Sequence, residues 1–418
     1  MKKKLLVLAI AILLALSTSA LLPTTSSRKP NTIRIGVVFP NAEWRSWYQP
    51  VFEKIIKNDI NAYLDKLPNT RFTPDLNIEF LYEDAQAGEG QDPRVLHLEK
   101  VEYFASIGID LVIGGFFSSQ AGPAVDYMTK NKMLLFSPSS TSSGLALPDD
   151  ALYRLAPTDS KQGQALAEMI IRKGVTSLII IRNESPEGTW STEAFELEYL
   201  GKGGSILNIT TYEYDPDETN FTDILRDVED EAEKHEDIDG ILLFAYQEAA
   251  DILGNATSYD TIYDLPWFGF NTAMSEQILE NAFDEAVNVT LIGPVTVADN
   301  SSKYWEMAER YENLTWGNNS YLTANMIDAA WIIAQAVLET KSSFSTRRFP
   351  INAVDIMEVL PDVASRYYGY SGWCQLDEAG DRANANYEIW GYGLVDGEPS
   401  FVKYGWYDMW TDTVYWDD

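Results

Sequence analysis

Residues 114–158, GGFFSSQAGPAVDYMTKNKMLLFSPSSTSSGLALPDDALYRLAPT, contain two hydroxyl-rich stretches, Ser118-Ser119 and 137–143, each close behind a short apolar run. The runs 111–113 (Leu-Val-Ile) and 133–136 (Met-Leu-Leu-Phe) predict buried strands, and residues 123–129 between them predict the core of a helix. A strand, helix, strand unit makes its two strands parallel, and ligands of open α/β sheets sit in the crevice outside the strands' carboxyl ends. The two serine-rich stretches are therefore expected to meet. Hydroxyls and unpaired N–H groups converging at strand ends and a helix start suit a carboxylate or another anion. Serine and threonine also cap helices and form turns, so the expectation rests on the meeting of two stretches and not on either alone.

From residue 32 onward strands and helices alternate. Strands are expected at 33–39, 76–82, 177–181, 205–212, 240–245 and 267–270, with helices over 47–64, 95–107, 161–172, 192–201 and 221–235. Alternation of this kind implies parallel sheets covered on both faces, and a chain of this length gives two doubly wound lobes. The stretch 321–339, YLTANMIDAAWIIAQAVLE, is apolar on most faces and is expected to lie deep in one lobe. From residue 369 the pattern changes to glycine, aromatic and acidic residues, which reads as short antiparallel strands and turns.

Lys2-Lys3-Lys4, the apolar run 5–16 and Ser17-Thr18-Ser19-Ala20 have the three parts of a secretory signal, so residues 1–20 are expected to direct export, as a cleaved signal or an uncleaved anchor, followed by a linker at 21–31. No cysteine stands near the cut to carry a lipid, and no later run is expected to span a bilayer. Cys374 is the only cysteine, which excludes an intrachain disulfide. Export without disulfides, together with eight Asn-x-Ser/Thr sequons between 183 and 320, fits a glycosylated archaeal cell-surface protein. Removing residues 1–20 takes away three lysines and no acid, so the net charge of −32 becomes −35, which excludes nucleic acid as a partner.

Catalytic patterns fail on inspection. There is no Gly-x-Ser-x-Gly elbow, and GGFFSSQAG lacks the Gly-Lys-Ser/Thr ending of a phosphate loop. The two histidines, His97 and His235, read as surface or capping residues, and with one cysteine they cannot form a zinc site. Residues 215–226 begin like a calcium loop but have Asn220 at position six and Arg226 at position twelve. No enzyme activity, cofactor or metal is expected.

Six segments in order resemble the extracellular solute-binding proteins of branched-chain amino-acid type ABC transporters, which have the type 1 periplasmic-binding fold. They are IRIGVVFP (33–40), LVIGGFFSSQAGPAV (111–125), LLFSPSSTSSGL (134–145), YRLAPTDSKQGQALAEMI (153–170), YEYDPDETNFTDILRDVED (212–230) and YSGWCQLDEAGDRANANYEIW (370–390). The resemblance implies two lobes joined by three crossings near 155–158, 293–298 and 349–354. Lobe 1 would take 32–156 and 295–350, and lobe 2 would take 157–294 and 351–418. It also implies that Ser118, Ser119 and the segment Ser139, Ser140, Thr141 hold a carboxylate. Trp44 or Trp47 would cover the ligand from the first lobe, with Tyr246 and Trp190 closing from the second. Where the family usually has an acid for the α-ammonium, this chain has Asn271; either Glu43, Glu184 or Glu248 compensates, or the ligand is not a standard α-amino acid. The implied role is capture of a small carboxylate-bearing solute for a membrane permease and its ATPase, by a monomer at the outer face of the membrane. A sensor of the same fold is the alternative.

Overall fold

The computed structural model describes residues 31–67, 76–204, 211–235, 237–315, 321–343 and 351–417, so the expected signal at 1–20 and most of the expected strand at 205–212 lie outside the described residues. Two sheets organise the chain. The first contains β1 (Asn31–Phe39), β2 (Leu76–Asp84), β3 (Leu111–Ile113), β4 (Leu134–Ser137) and β5 (Leu152–Arg154), all parallel, in the order β2-β1-β3-β4-β5. The second contains β6 (Leu178–Asn183), β7 (Tyr212–Tyr214), β8 (Gly240–Phe244), β9 (Trp267–Gly269) and β10 (Ile292–Val297), parallel in the equivalent order β7-β6-β8-β9-β10. It is extended by the antiparallel strands β11 (Asn386–Val395), β12 (Glu398–Asp408) and β13 (Thr413–Trp416).

Period-two burial explains why both sheets are covered on two faces. Ile35, Val37, Phe39, Leu111, Ile113, Leu134 and Phe136 face one core of the first lobe, while Val38, Val112 and Leu135 face the other. In the second sheet Ile179, Ile181, Ile241 and Leu243 face one way, and Leu178, Ile180, Leu242 and Phe244 the other. Each lobe is thus a three-layer α/β unit whose strand order reverses at one point, between β1 and β3 in the first and between β6 and β8 in the second. Clefts open at the carboxyl ends of such points.

The long helix Tyr321–Ser343 is apolar enough over 321–340 to cross a membrane by length and composition, contrary to the expectation that no later run qualifies. Its Ala324, Ile327, Ala330, Ile333 and Val337 are instead buried in the core of the first lobe.

The chain passes from the first sheet to the second between Arg154 and Asp159, and returns between Val297 and Ser302. The third crossing is not at 349–354. Ala353, Ile356, Leu360, Val363, Tyr367, Cys374 and Leu376 all pack in the first lobe's core, and the chain rejoins the second sheet only at Asn386. Asp328, buried in the long helix, explains why. Its carboxylate accepts the Tyr370 and Ser371 N–H groups at 2.8 Å, the Ser371 hydroxyl at 2.7 Å and the Tyr367 hydroxyl at 3.1 Å, which fastens residues 367–371 to the first lobe. Residues 351–376 therefore belong to lobe 1.

The first and third crossings are locked together. Arg154 and Asp381, both almost fully buried, form a bidentate pair at 2.5 and 2.7 Å, and Arg382 donates to the Leu155 carbonyl at 3.2 Å and to Ser371 at 2.8 and 3.0 Å. Gly380 has φ +78°, and a Cβ there would sit 2.8 Å from the Leu152 carbonyl, so the close approach of the two crossings requires glycine.

Candidate functional site

The expected meeting of the serine stretches occurs, and the hydrogen bonds show what most of the hydroxyls do. Ser137 Oγ donates to the Gly115 carbonyl at 2.8 Å and accepts the Ser140 N–H at 3.0 Å, while Ser139 Oγ donates to the Phe116 carbonyl at 2.7 Å. Ser118 Oγ lies 3.0 Å from Ser140 Oγ and accepts the N–H groups of Thr141 and Ser142 at 3.3 and 3.1 Å. These bonds knit the loop after β3 to the loop after β4. Gly115, at φ +61° with Ala121 Cβ only 2.9 Å from any added Cβ, allows the tight turn from β3 into the helix Ser118–Lys130. That helix has no side-chain cap, so its first N–H groups, including those of Ser118 and Ser119, have no carbonyl partner within the helix.

The knitted loops form one wall of a cavity of about 450 Å³. The first lobe contributes Phe116, Phe117, Ser118, Ser119, Ser139 and Thr141; the second contributes Asp159, Gln162, Ser185, Glu187, Ser191, Phe244, Tyr246, Asn271 and Thr272. Strand topology accounts for this set, because Ser185 and Glu187 follow β6, Tyr246 follows β8 and Asn271 follows β9, all at carboxyl ends. Among the described residues no lysine, arginine or histidine lines the cavity. The first-lobe wall offers hydroxyls and a helix N-terminus, with its positive end of the dipole, and the second offers two carboxylates.

Six of the ten residues expected at the site line the cavity: Ser118, Ser119, Ser139, Thr141, Tyr246 and Asn271. Four do not. Ser140 is buried against Ser118. Trp44 stands behind the wall, its ring edge-on to Phe116 and Phe117 at centroid distances of 5.7 and 5.4 Å, so those phenylalanines present the aromatic surface. Trp47 is half-exposed and touches Tyr48. Trp190 lies flat over Gly144 of the first lobe, where an added Cβ would be 2.8 Å from its ring, making a contact across the cleft beside the cavity.

The three acids that the resemblance offers as compensating partners lie away from the cavity. Glu43 and Glu184 are exposed and Glu248 is tied to the Tyr214 hydroxyl at 2.9 Å and the Asn183 amide at 3.3 Å, and none of the three lines the cavity. The carboxylates that line the cavity are those of Asp159 and Glu187. Asp159 opens the helix Asp159–Arg172, and its N–H donates to the Thr141 carbonyl at 2.8 Å, with the Thr141 and Ser191 hydroxyls near its carboxylate. Burial pushes the Asp159 carboxyl above its usual range, with the two neighbouring hydroxyls opposing the rise and Glu187 adding to it. Burial also raises the Tyr246 phenol, with Glu187 and Asp159 the nearest charges. Both acids stand at helix starts, where an acid reads as a complement to the helix dipole; only their position directly after the first crossing and after β6 marks them as cleft residues.

Two further expectations change. His97 is neither a surface nor a capping residue; it is fully buried beneath the turn after β3, and its Nε2 accepts the Gly115 N–H at 2.9 Å. Burial lowers its pKa to about 4. Asn183, counted among the sequons, is buried with its side chain bonded to Ser185 and Glu248, so it is not available to a glycan.

Residues 57–394 match the family model described as the receptor family ligand binding region. The chain belongs to this ligand-binding-region family. An uncharacterized protein of Methanocaldococcus jannaschii is 24% identical over 410 residues, covering 94% of each chain. Among solved structures, an ABC transporter substrate-binding protein from Desulfitobacterium hafniense in complex with leucine superposes with a TM-score of 0.66 at 20% identity, covering 89% of this chain and all of the other. The branched-chain amino acid transporter substrate-binding protein LivJ from Streptococcus pneumoniae, in complex with isoleucine, gives 0.65 at 19% identity, with coverages of 89% and 100%. A solute-binding protein from Rhodopseudomonas palustris, in complex with 3,4-dihydroxybenzoic acid, gives 0.63 at 15% identity, with coverages of 90% and 97%. The ligand-binding-region chain therefore has the type 1 periplasmic-binding fold, two α/β lobes with a cleft between them.

Proposed function

We propose that this chain is the solute-binding component of an ABC importer and captures a small amino-acid-like solute between its lobes outside the cytoplasm. The observation that carries this reading is the polarity of the cavity: hydroxyls and a free helix N-terminus on one wall, Asp159 and Glu187 on the other. A zwitterion fits such a pair of walls in one orientation. Its carboxylate meets the Ser119 hydroxyl and the first N–H groups of the helix Ser118–Lys130. Its ammonium meets Glu187, with the Asn271 side chain as a neutral acceptor, and its side chain lies against Phe116, Phe117, Phe244 and Tyr246. Asp159 holds Thr141 and so positions the first-lobe loop against the second lobe.

A solute touching both walls stabilises the arrangement in which the lobes meet, and a permease with its ATPase subunits reads that arrangement. Binding occurs without turnover, by a monomer. Native mass spectrometry of protein purified from the culture medium, followed by a thermal-shift screen of amino acids and related carboxylates, tests the proposal. A bound mass matching an amino acid, and a melting shift from that compound, are expected. Glu187→Gln should then weaken binding by about one to two decades, the loss of a hydrogen bond between charged partners. No shift with any amino acid, or a Glu187→Gln variant that binds like the wild type, rejects the assignment.

A further inference from the structure

A second cavity, of about 530 Å³, shares no lining residue with the first and is also walled by both lobes. The first lobe supplies Tyr304, Trp305 and Tyr321 from the starts of the helices Ser302–Thr315 and Tyr321–Ser343. The second supplies Met274, Trp390 and Phe401, with the end of β10 between the two groups.

The charged group and both indole N–H groups at its walls are already paired. Trp390 Nε1 donates to Glu388 at 3.0 Å, Lys403 donates to the other oxygen of the same carboxylate at 2.9 Å, and Trp305 Nε1 donates to Asn300 at 2.7 Å. Most of the lining is ring and aliphatic surface, with Thr296 and Tyr304 adding hydroxyl-bearing side chains. Small-molecule pockets are mostly apolar concavities of about 300–1,000 Å³, and this cavity falls in that class. With Glu388 neutralised by Lys403, the lining leaves no uncompensated charge to pair with an ionic ligand. We propose that this cavity binds an uncharged aromatic small molecule.

Its occupancy is linked to the solute cavity by construction. Met274 closes the turn Asn271–Ala273, whose Asn271 and Thr272 line the solute cavity, and its methyl fills the space where Gly269 and Gly293 have no Cβ. A molecule touching both lobes in this arrangement stabilises it, as the solute does. Each must therefore tighten the other by the same factor. Only this linkage rests on the proposed solute function; the cavity and its ligand class do not.

The test is titration of 5-fluoroindole into the full chain, followed by ¹⁹F NMR, with benzoate as the charged comparator. Saturable binding of fluoroindole is expected. Trp305→Ala, at a position 59% exposed and so tolerant of truncation, and Val297→Phe, which fills the cavity, should each weaken it by at least about tenfold. Benzoate should bind at least tenfold more weakly at the same Trp305-dependent site. Absence of saturable fluoroindole binding, binding unchanged in Trp305→Ala, or equal affinity for benzoate at that site overturns the proposal. If Val297→Phe does not fold, Trp305→Ala decides alone. Equal fluoroindole affinity with and without a saturating solute overturns the linkage but leaves the site. Failure of the solute screen with fluoroindole still bound would count against the transport reading only.

Discussion

Replacing Asp381 by asparagine removes the counter-charge of Arg154 while keeping the shape of the side chain. Arg154 has no exposed surface and Asp381 is 1% exposed, so water cannot take the place of the lost charge. Arg154 bonds both carboxylate oxygens, at 2.5 and 2.7 Å, and its remaining arm donates to the Ser142 carbonyl at 2.7 Å, in the loop that carries Thr141. Breaking a buried pair by removing one partner costs about 3–5 kcal/mol, because the other charge is left unpaired. Asp381→Asn should therefore lower the unfolding free energy by that amount in urea denaturation at pH 7, and it should also weaken solute binding, since the Ser142 end of the loop loses its anchor's orientation. The double variant Arg154→Met with Asp381→Leu removes both charges and should recover most of the stability, because an apolar replacement of a whole buried pair is nearly neutral. A loss below about 1 kcal/mol for Asp381→Asn, or a double variant no more stable than the single one, would refute the reasoning that this pair is a desolvated lock between the first and third crossings.

Three further outcomes follow from the same geometry. Thr141→Val removes a hydroxyl at the cavity wall and should weaken solute binding by about tenfold or more with little change in the stability of the ligand-free protein, whereas Ser142→Ala, whose hydroxyl is buried without a partner among the described residues, should leave binding unchanged; equal affinities for the two by calorimetry would contradict this. Gly144→Leu places a side chain where the Trp190 ring lies 2.8 Å from the new Cβ, so it should hold the lobes apart and give a larger radius of gyration by small-angle scattering, and an unchanged radius would show that this contact does not limit closure. His97 has a folded pKa of about 4 against an ordinary value of 6.5, so the unfolded chain binds a proton that the folded one refuses as the pH falls through that window. The stability it contributes is present above pH 6.5 and is lost toward pH 4, by at most about 3 kcal/mol. His97→Gln should flatten that part of the stability profile relative to wild type; buried carboxylates such as Asp159 act with the opposite sign but equally in both proteins, so identical pH profiles would refute the role of His97.

The fold was legible where local signals agree. Short apolar runs alternating with helical stretches predict the parallel strands, and the long alanine-rich stretch predicts a buried helix because its apolar residues leave no wet face. The serine loops were legible as a meeting place, since strand order alone brings them together. Which hydroxyls face the cavity was not, because Ser118, Ser137 and Ser140 satisfy each other and the loop N–H groups, a pairing set by three-dimensional register. Trp44 was misplaced for a related reason: an aromatic near a loop can line a cleft or back the residue that does, and here Phe116 and Phe117 stand in front of it. The third crossing fell about thirty residues later than its sequence position indicated, because Asp328 gathers backbone N–H groups from 370–371, a contact across more than forty residues that leaves no periodic trace. Burial of His97 under Gly115 is likewise a property of packing between the helix Pro93–Ser106 and the turn after β3.

The central claim is that the cleft recognises both ends of a zwitterion, and calorimetry can test it directly. The amino acid that gives the largest thermal shift is titrated into wild-type protein beside its deaminated counterpart, which keeps the carboxylate and side chain but lacks the ammonium. The account predicts one solute per chain and at least about tenfold weaker binding of the deaminated compound, because Glu187 would then face a group without positive charge. A deaminated compound that binds as tightly as the amino acid would contradict it.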